Sequence, residues 1–505
     1  MSWASCRPSG PWHQTGISGR GADCAKLGAD LWSDKLRTSA TLNCRYQRDL
    51  TYEEHMTALA SPEAAGRSAP ASFLIGLNLC LIGIYTNFAV QVGSIWVPGI
   101  PVVIGALLLL PFLRSSQWLW WLMLFLVMSL VAGGSGMEFF RIRLDSWIQV
   151  TVAISCAHVI LCSMQFPRAV KKTLFSWLVF IVVGVTLEKF FPPFRELSDT
   201  FRRIIFEGRW IYDDPGRDMR DYGFIRPKLF TQEPSHVAKS FVIFGTGWYV
   251  LSSFRSRFTL LLVCTAIVTL CLGSPIVLLV IPLAWFVNRV AAGRAVSSIV
   301  VAGVPLLGLA AVLLSRLFSA RFTGIRNGTD ASFFARYQGP YEVAIRTLGE
   351  HPIFGVGIGA KEALWKEIYA VYSSIFERSW LYRHYVEILS NAFANSFSFF
   401  GIAGALIFYF LIAKWMMDFG VPAKVSLPVV ILFLQLDGSL EGLRMWGSIA
   451  VILGSYSMAV MHRGESSGAP VPRGPDARRL NGAPTRSQLS VASKIAYPTR
   501  PRLQA

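Results

Sequence analysis

Several residues capable of binding an anion or moving a proton stand close together in one stretch. Arg226 is followed by Thr231-Gln232-Glu233-Pro234-Ser235-His236. A helix N-terminus beside arginine is an anion site, because free backbone amides and a planar guanidinium fork both suit phosphate. The plainer reading is a helix start: Pro234 and Ser235 are good first residues, Glu233 favours the positive helix end, and Arg226 is a solvated charge.

A second stretch holds Arg336 and Arg346 within Phe333 to Leu348, which reads as an amphipathic helix. It is followed by His351-Pro352-Ile353-Phe354-Gly355-Val356-Gly357-Ile358-Gly359. Either this is a surface helix ended by a Pro-Gly turn, or Gly355 and Gly357 let backbone amides approach a bulky ligand closely. The stretch closes with Ser390-Asn391 and then Gly401-Ile402-Ala403-Gly404. There the glycines read as small residues for close helix packing. Glu233, His236, His351 and His384 are the available proton acceptors.

The elements that must position these residues are apolar. Of 505 residues 53 % are hydrophobic and only 15 % charged, against roughly 25 % charged in soluble domains. A lipid-facing surface tolerates almost no charge. Apolar runs divide into spans Ala71–Val90, Trp96–Leu113, Trp118–Ala132, Trp147–Met164, Leu174–Leu187 and Val237–Ser252. Phe258–Leu272, Pro275–Val287, Val296–Leu314, Asn395–Ala413, Val425–Leu436 and Met445–Met461 complete the set. The expectation is an all-α polytopic membrane protein of about 12 transmembrane helices.

The formal charge of +18 falls between the apolar runs and in the tail, which sets orientation and argues against nucleic acid. Loops after even-numbered spans carry Arg114, Arg168, Lys171, Lys172, Arg255, Arg257, Arg289, Arg294, Lys414 and Lys424 against Asp418. Loops after odd-numbered spans carry Arg141, Arg143 and Arg444 against Glu138, Asp145, Asp437 and Glu441. Positive-inside bias then makes both termini cytoplasmic. The two long loops, residues 188–236 and 315–391, fall outside, and such lengths without obvious secondary structure point to function.

Residues 1–70 have no long apolar core and read as a poorly ordered cytoplasmic tail rather than a signal peptide. Residues 462–505 read as a disordered basic tail near anionic headgroups. Eight cysteines show no CxxC pairing, hence no disulfide framework and no zinc spacing. No nucleotide-binding loop is present, which disfavours an ATP-driven pump.

In order, these features are a loop Arg, an acid-Pro helix start, a second loop with Arg and a Pro-Gly-x-Gly turn, then Asn and GxxG. Over roughly Ala71 to Met461 the chain resembles the O-antigen polymerase and O-antigen ligase superfamily. The resemblance implies a metal-independent glycosyltransferase of GT-C-like fold in the bacterial inner membrane, without a cofactor and with two long periplasmic loops. The donor it implies is glycan on undecaprenyl diphosphate, and a chain-length regulator is the protein partner to expect. Loop arginines would hold the diphosphate: Arg226 and Arg336 match the family's positions best, Arg217 and Arg346 next. Gly355, Gly357 and Asn391 join them as substrate-binding residues. Glu233, His236 and His384 are the catalytic candidates. Ligases carry His directly before the Asn, where this chain has Ser390, and His384 lies six residues earlier. That departure favours a polymerase, with a ligase as one alternative and a secondary transporter as another.

Overall fold

The computed structural model describes residues 68–92, 95–131, 139–207, 211–252, 255–294, 333–373, 375–377, 381 and 388–466. Residues 1–67 and 467–505, the expected span Val296–Leu314 and His384 lie outside the described residues. The described chain is helical apart from one antiparallel hairpin, β1 (Ala89–Val92) on β2 (Ile95–Pro98).

Before and after that hairpin come α1 (Ala71–Thr86), α2 (Ile100–Leu109), α3 (Gln117–Val131), α4 (Phe140–Ser163) and α5 (Pro167–Phe190). The first long connection holds α6 (Pro192–Ile205) and α7 (Pro215–Tyr222) and leads into α8 (Pro234–Val250). Then follow α9 (Arg255–Leu272) and α10 (Val280–Ala291). The second connection holds α11 (Gly339–Glu350) and α12 (Trp365–Tyr372), and the chain ends in α13 (Ala392–Met417), α14 (Ala423–Leu436) and α15 (Leu443–Ser466). Both long connections contain helices of their own: α11 overlaps the amphipathic helix expected over Phe333 to Leu348, whereas α6, α7 and α12 were not expected. Helices α5 to α8 each open on proline, which lacks an amide that the first turn could not bond anyway.

Among the described residues four helices are long and apolar enough to cross a membrane: α4, α5, α13 and Leu443–Arg463 of α15. Shorter apolar helices, among them α1 and α14, pack beside them. The centre of the bundle is α15, packed by α4, α8, α14 and α1, while α8 lies against α5, α10 and α15. Leucine, valine and phenylalanine fill these contacts, with Phe241, Phe244, Ile449 and Leu453 almost wholly enclosed.

The bundle has two distinct ends. At one, His158 of α4 bonds the Arg114 carbonyl (2.7 Å) and accepts from Trp415 Nε1 of α13 (3.0 Å), so both ring nitrogens are satisfied. Arg463 donates there to the Asn288 side chain (2.6 Å). At the other end, the loop end, both long connections meet. There Tyr85 donates to the Leu229 carbonyl (2.6 Å) and Lys361 pairs with Glu441 (3.7 Å).

Two expectations need correction at the loop end. Helix α4 begins at Phe140, not Trp147, so Arg141, Arg143 and Asp145 are helical and not loop charges. The helix tolerates Arg143 because its guanidinium donates to the Ser129 (3.1 Å) and Leu130 carbonyls at the end of α3, which have no intrahelical partner. Gly401 does more than allow close helix packing: at φ 67°, ψ −173° it breaks α13. Into the break runs the segment 352–357, with Ile402 N donating to Pro352 O (2.8 Å), Val356 N to Ser398 O (2.9 Å) and Gly357 N to Phe399 O (2.9 Å).

A Cβ on Gly401 would run into Ile353, and the positive φ disfavours any side chain. Gly401→Ala is therefore expected to destabilise the bundle by about 1–3 kcal/mol or more. Thermal unfolding of the detergent-solubilised protein measures it, and a midpoint equal to that of the unaltered protein would show the break to be dispensable.

Candidate functional site

Helix α8 starts at Glu233, which holds an extended backbone at the N-cap, and Pro234. Glu233, His236 and Lys239 then recur every third residue and so share a face near the first turns. Glu233 Oε1 lies 3.5 Å from His236 Nε2 and accepts from Ser235 Oγ, while Oε2 lies 3.6 Å from Arg336 Nη2. Lys239 Nζ stands 3.6 Å from Asp437 Oδ1, at the end of α14. Arg444, second residue of α15, grips both Asp437 oxygens in a fork at 3.1 and 2.6 Å.

Three cations (Lys239, Arg336, Arg444) thus face two carboxylates (Glu233, Asp437), a surplus of one positive charge with His236 neutral. Arg336 is the accessible member, its side chain 42 % exposed against 14 % for Glu233 and 8 % for Arg444. Burial alone would raise the Glu233 carboxyl, but Arg336, Lys239 and His236 in its protonated form lower it to about 2, while burial and Arg444 push His236 well below its ordinary range and keep it neutral at pH 7. Burial would likewise raise Asp437, and Arg444 and Lys239 hold it well below the usual carboxylate range. Both acids are therefore ionised at neutral pH. His236 Nδ1 and Arg444 Nη1 are buried and make no hydrogen bond within the protein.

Asn391 caps α13, its Oδ1 accepting from Ala394 N (3.0 Å) and its Nδ2 donating to the Arg336 carbonyl (3.3 Å). Ser390 Oγ donates to the neighbouring Ala335 carbonyl (3.3 Å). These bonds fix the π-type turn Phe334–Gln338 that carries Arg336. Asn391 thus positions Arg336 through the backbone, and Ala392 N links the same helix start to the Asp437 carbonyl (3.4 Å).

The structure thus gathers Glu233, His236, Arg336 and Asn391. Arg226 is held elsewhere: its Nε bonds Asp218 Oδ1 (2.7 Å) and its guanidinium stacks on Tyr222 (4.3 Å). Burial would lower Arg226, and Tyr222 and Asp218 raise it instead. Asp218 is fully buried and also accepts from the Tyr212 hydroxyl (2.8 Å), so Arg226 neutralises an enclosed acid. Arg217 lies in the first turn of α7, where its amide is capped by Asp214 (2.8 Å), and Arg346 is exposed on α11. Gly355 and Gly357 lie against the broken α13, and a Cβ on either would meet protein: Ser398 and Gly401, or Arg143.

Sequence reasoning missed Lys239, Asp437 and Arg444. The signal was there in part: Lys239 interrupts an apolar run, and a cation within a span needs a partner. Asp437 and Arg444 read only as loop charges until α14 and α15 bring them inward. No group of three or more His, Cys, Asp or Glu among the described residues is placed to hold a metal ion. The chain matches no protein-family model and no curated protein.

Proposed function

We propose that the chain is a polymerase of polysaccharide repeat units carried on undecaprenyl diphosphate, acting at the periplasmic face of a bacterial inner membrane. About 12 spans in a GT-C-like arrangement would carry it, with both termini cytoplasmic. The reading rests on one observation: an ionised Glu233 paired to His236 at a helix start, with a half-exposed Arg336 beside them, at the end where both long connections meet.

The chemistry follows from those groups. An acceptor sugar hydroxyl attacks the anomeric carbon of the donor glycan, and the bond from that carbon to the diphosphate oxygen breaks. His236 Nδ1, unbonded inside the protein, takes the hydroxyl proton while Glu233 steadies the imidazolium that forms. Arg336 meets the departing diphosphate with a fixed, planar positive charge.

Arg336→Ala is expected to abolish long polymer without lowering membrane abundance, and Arg336→Lys to restore part of it by keeping charge but losing the fork. Arg226→Ala should behave differently and lower abundance, since it strands buried Asp218. Size analysis of lipid-linked glycan reads the outcome. Single repeat units accumulating on the carrier support a polymerase; long chains stranded there count for a ligase. Full polymer length in Arg336→Ala would remove Arg336 from the site.

Orientation has its own test, from the basic residues crowding the end opposite the long connections. A periplasm-active reporter fused after Pro215 or Tyr369 should be active, and one fused after Arg257 or Arg463 silent. Activity at Arg257 would overturn the placement.

A further inference from the structure

Helix α6 is built inside out for a helix in water. Its two buried residues, Ser198 and Arg202, are polar and turn inward beside the partly buried Phe194, while Phe191, Leu197, Phe201 and Ile204 are exposed, Ile204 to 68 %. A third face, bearing Glu196, Thr200 and Arg203, is exposed and polar. Three sectors at such angles fit a helix lying flat at a membrane surface, with protein on one side, acyl chains on the second and water on the third.

The apolar ridge also continues a row on α5, one of the helices long and apolar enough to cross a membrane. Phe175, Val179, Val183, Leu187 and Phe190 are exposed at steps of three or four residues and run directly into Phe191. An outward row of this composition on such a helix faces lipid, and α6 carries it round the corner at the loop end.

The inward face of α6 grips the turn just before Glu233. Arg202 donates to the carbonyls of Thr231 (2.6 Å), Gln232 (3.2 Å) and Tyr212 (2.9 Å). Ser198 Oγ accepts from Phe230 N (3.0 Å), and the Phe201 ring packs on Phe230 at 5.2 Å. Glu188 at the end of α5 accepts from Lys228 N (2.9 Å) and Leu229 N (2.6 Å). This turn needs holding, because Leu229 (φ 37°) and Phe230 (φ 62°) occupy left-handed backbone that bulky residues adopt only under constraint.

We propose that α6 docks its apolar ridge among the acyl chains of the leaflet at the loop end, and that this lipid contact braces the Lys228–Gln232 turn that sets Glu233. The second clause gains its functional meaning from the reading of Glu233 and His236 above; the lipid contact itself does not depend on it.

The test uses the full chain in phosphatidylethanolamine–phosphatidylglycerol nanodiscs, with nitroxide attached to Leu197→Cys, Ile204→Cys, Glu196→Cys or Thr200→Cys. The unsubstituted protein, labelled in parallel, corrects for native cysteines. Oxygen should relax the labels at 197 and 204 more than a water-soluble nickel chelate does, with the order reversed at 196 and 200. Nickel access at 197 and 204 equal to that at 196 overturns lipid docking. Exclusion of both relaxants there also overturns it, and assigns the ridge to a protein partner or a second copy.

The bracing is read by backbone amide exchange in the Leu197→Glu, Ile204→Glu double variant, in the same nanodiscs. Exchange across Lys228–Thr231 should rise about tenfold relative to the unaltered protein, and an unchanged rate overturns the brace. Neither readout needs turnover, so failure of the polymerase reading leaves both intact.

Discussion

His236→Gln is expected to slow polymer formation by about 10²–10⁴-fold, the usual contribution of a positioned general base. Glutamine can still donate to Glu233, so the start of α8 should fold and membrane abundance should hold. What it lacks is a nitrogen able to take the acceptor's proton. Glu233, lowered to about 2, is too weak a base near neutral pH; His236 is pushed below its ordinary range by burial and Arg444, so it is neutral there and takes the proton only as the hydroxyl attacks. The measurement is the initial rate of chain growth by purified protein in vesicles with lipid-linked repeat units. A rate near that of the unaltered protein would remove His236 from the chemistry and leave the cluster as an ion network alone.

Asp437→Asn should produce the largest loss of stability, about 3–5 kcal/mol, because breaking a buried ion pair leaves its partner charge uncompensated. Here two partners are stranded, Lys239 at 3.6 Å and Arg444 at 2.6 Å. Arg444→Gln should cost less, since Asp437 keeps Lys239. The double variant Asp437→Asn, Lys239→Met removes one stranded cation and is expected to recover part of the loss. Thermal unfolding in detergent compares these three with the Lys239→Met single variant. Single-variant losses that simply add in the double variant would mean that Lys239 and Asp437 do not interact.

Asp437 also acts on pH dependence in a fixed direction. Its carboxyl is held below its unfolded value, so its stabilising contribution is present in full above that value, about 3.9. It is lost as pH falls towards the folded value.

Much of this was legible in the residues because it depends on neighbours along the chain. Long apolar runs produce α4, α5, α13 and α15 wherever they lie, since a buried backbone must bond within its own helix. The Glu233-Pro234 start of α8 is a capping signal confined to a few residues, and it places His236 one turn further on. Arg336 and Asn391 were also singled out in the sequence, and the structure joins them by a hydrogen bond from Asn391 to the Arg336 carbonyl.

Tertiary structure alone decided which charges meet. Lys239 and Asp437 are far apart in sequence, and nothing local to either predicts a 3.6 Å approach. The same blindness set Arg226 level with Arg336 as a diphosphate ligand, although Asp218 and two tyrosines pack against its guanidinium. It also left Gly355 and Gly357 available to a ligand on paper, whereas the break at Gly401 takes up that segment. Hydropathy and caps act over a turn or two of helix. Which charge neutralises which is settled only when helices pack and solvent leaves, because that desolvation is what makes an unpaired ion intolerable.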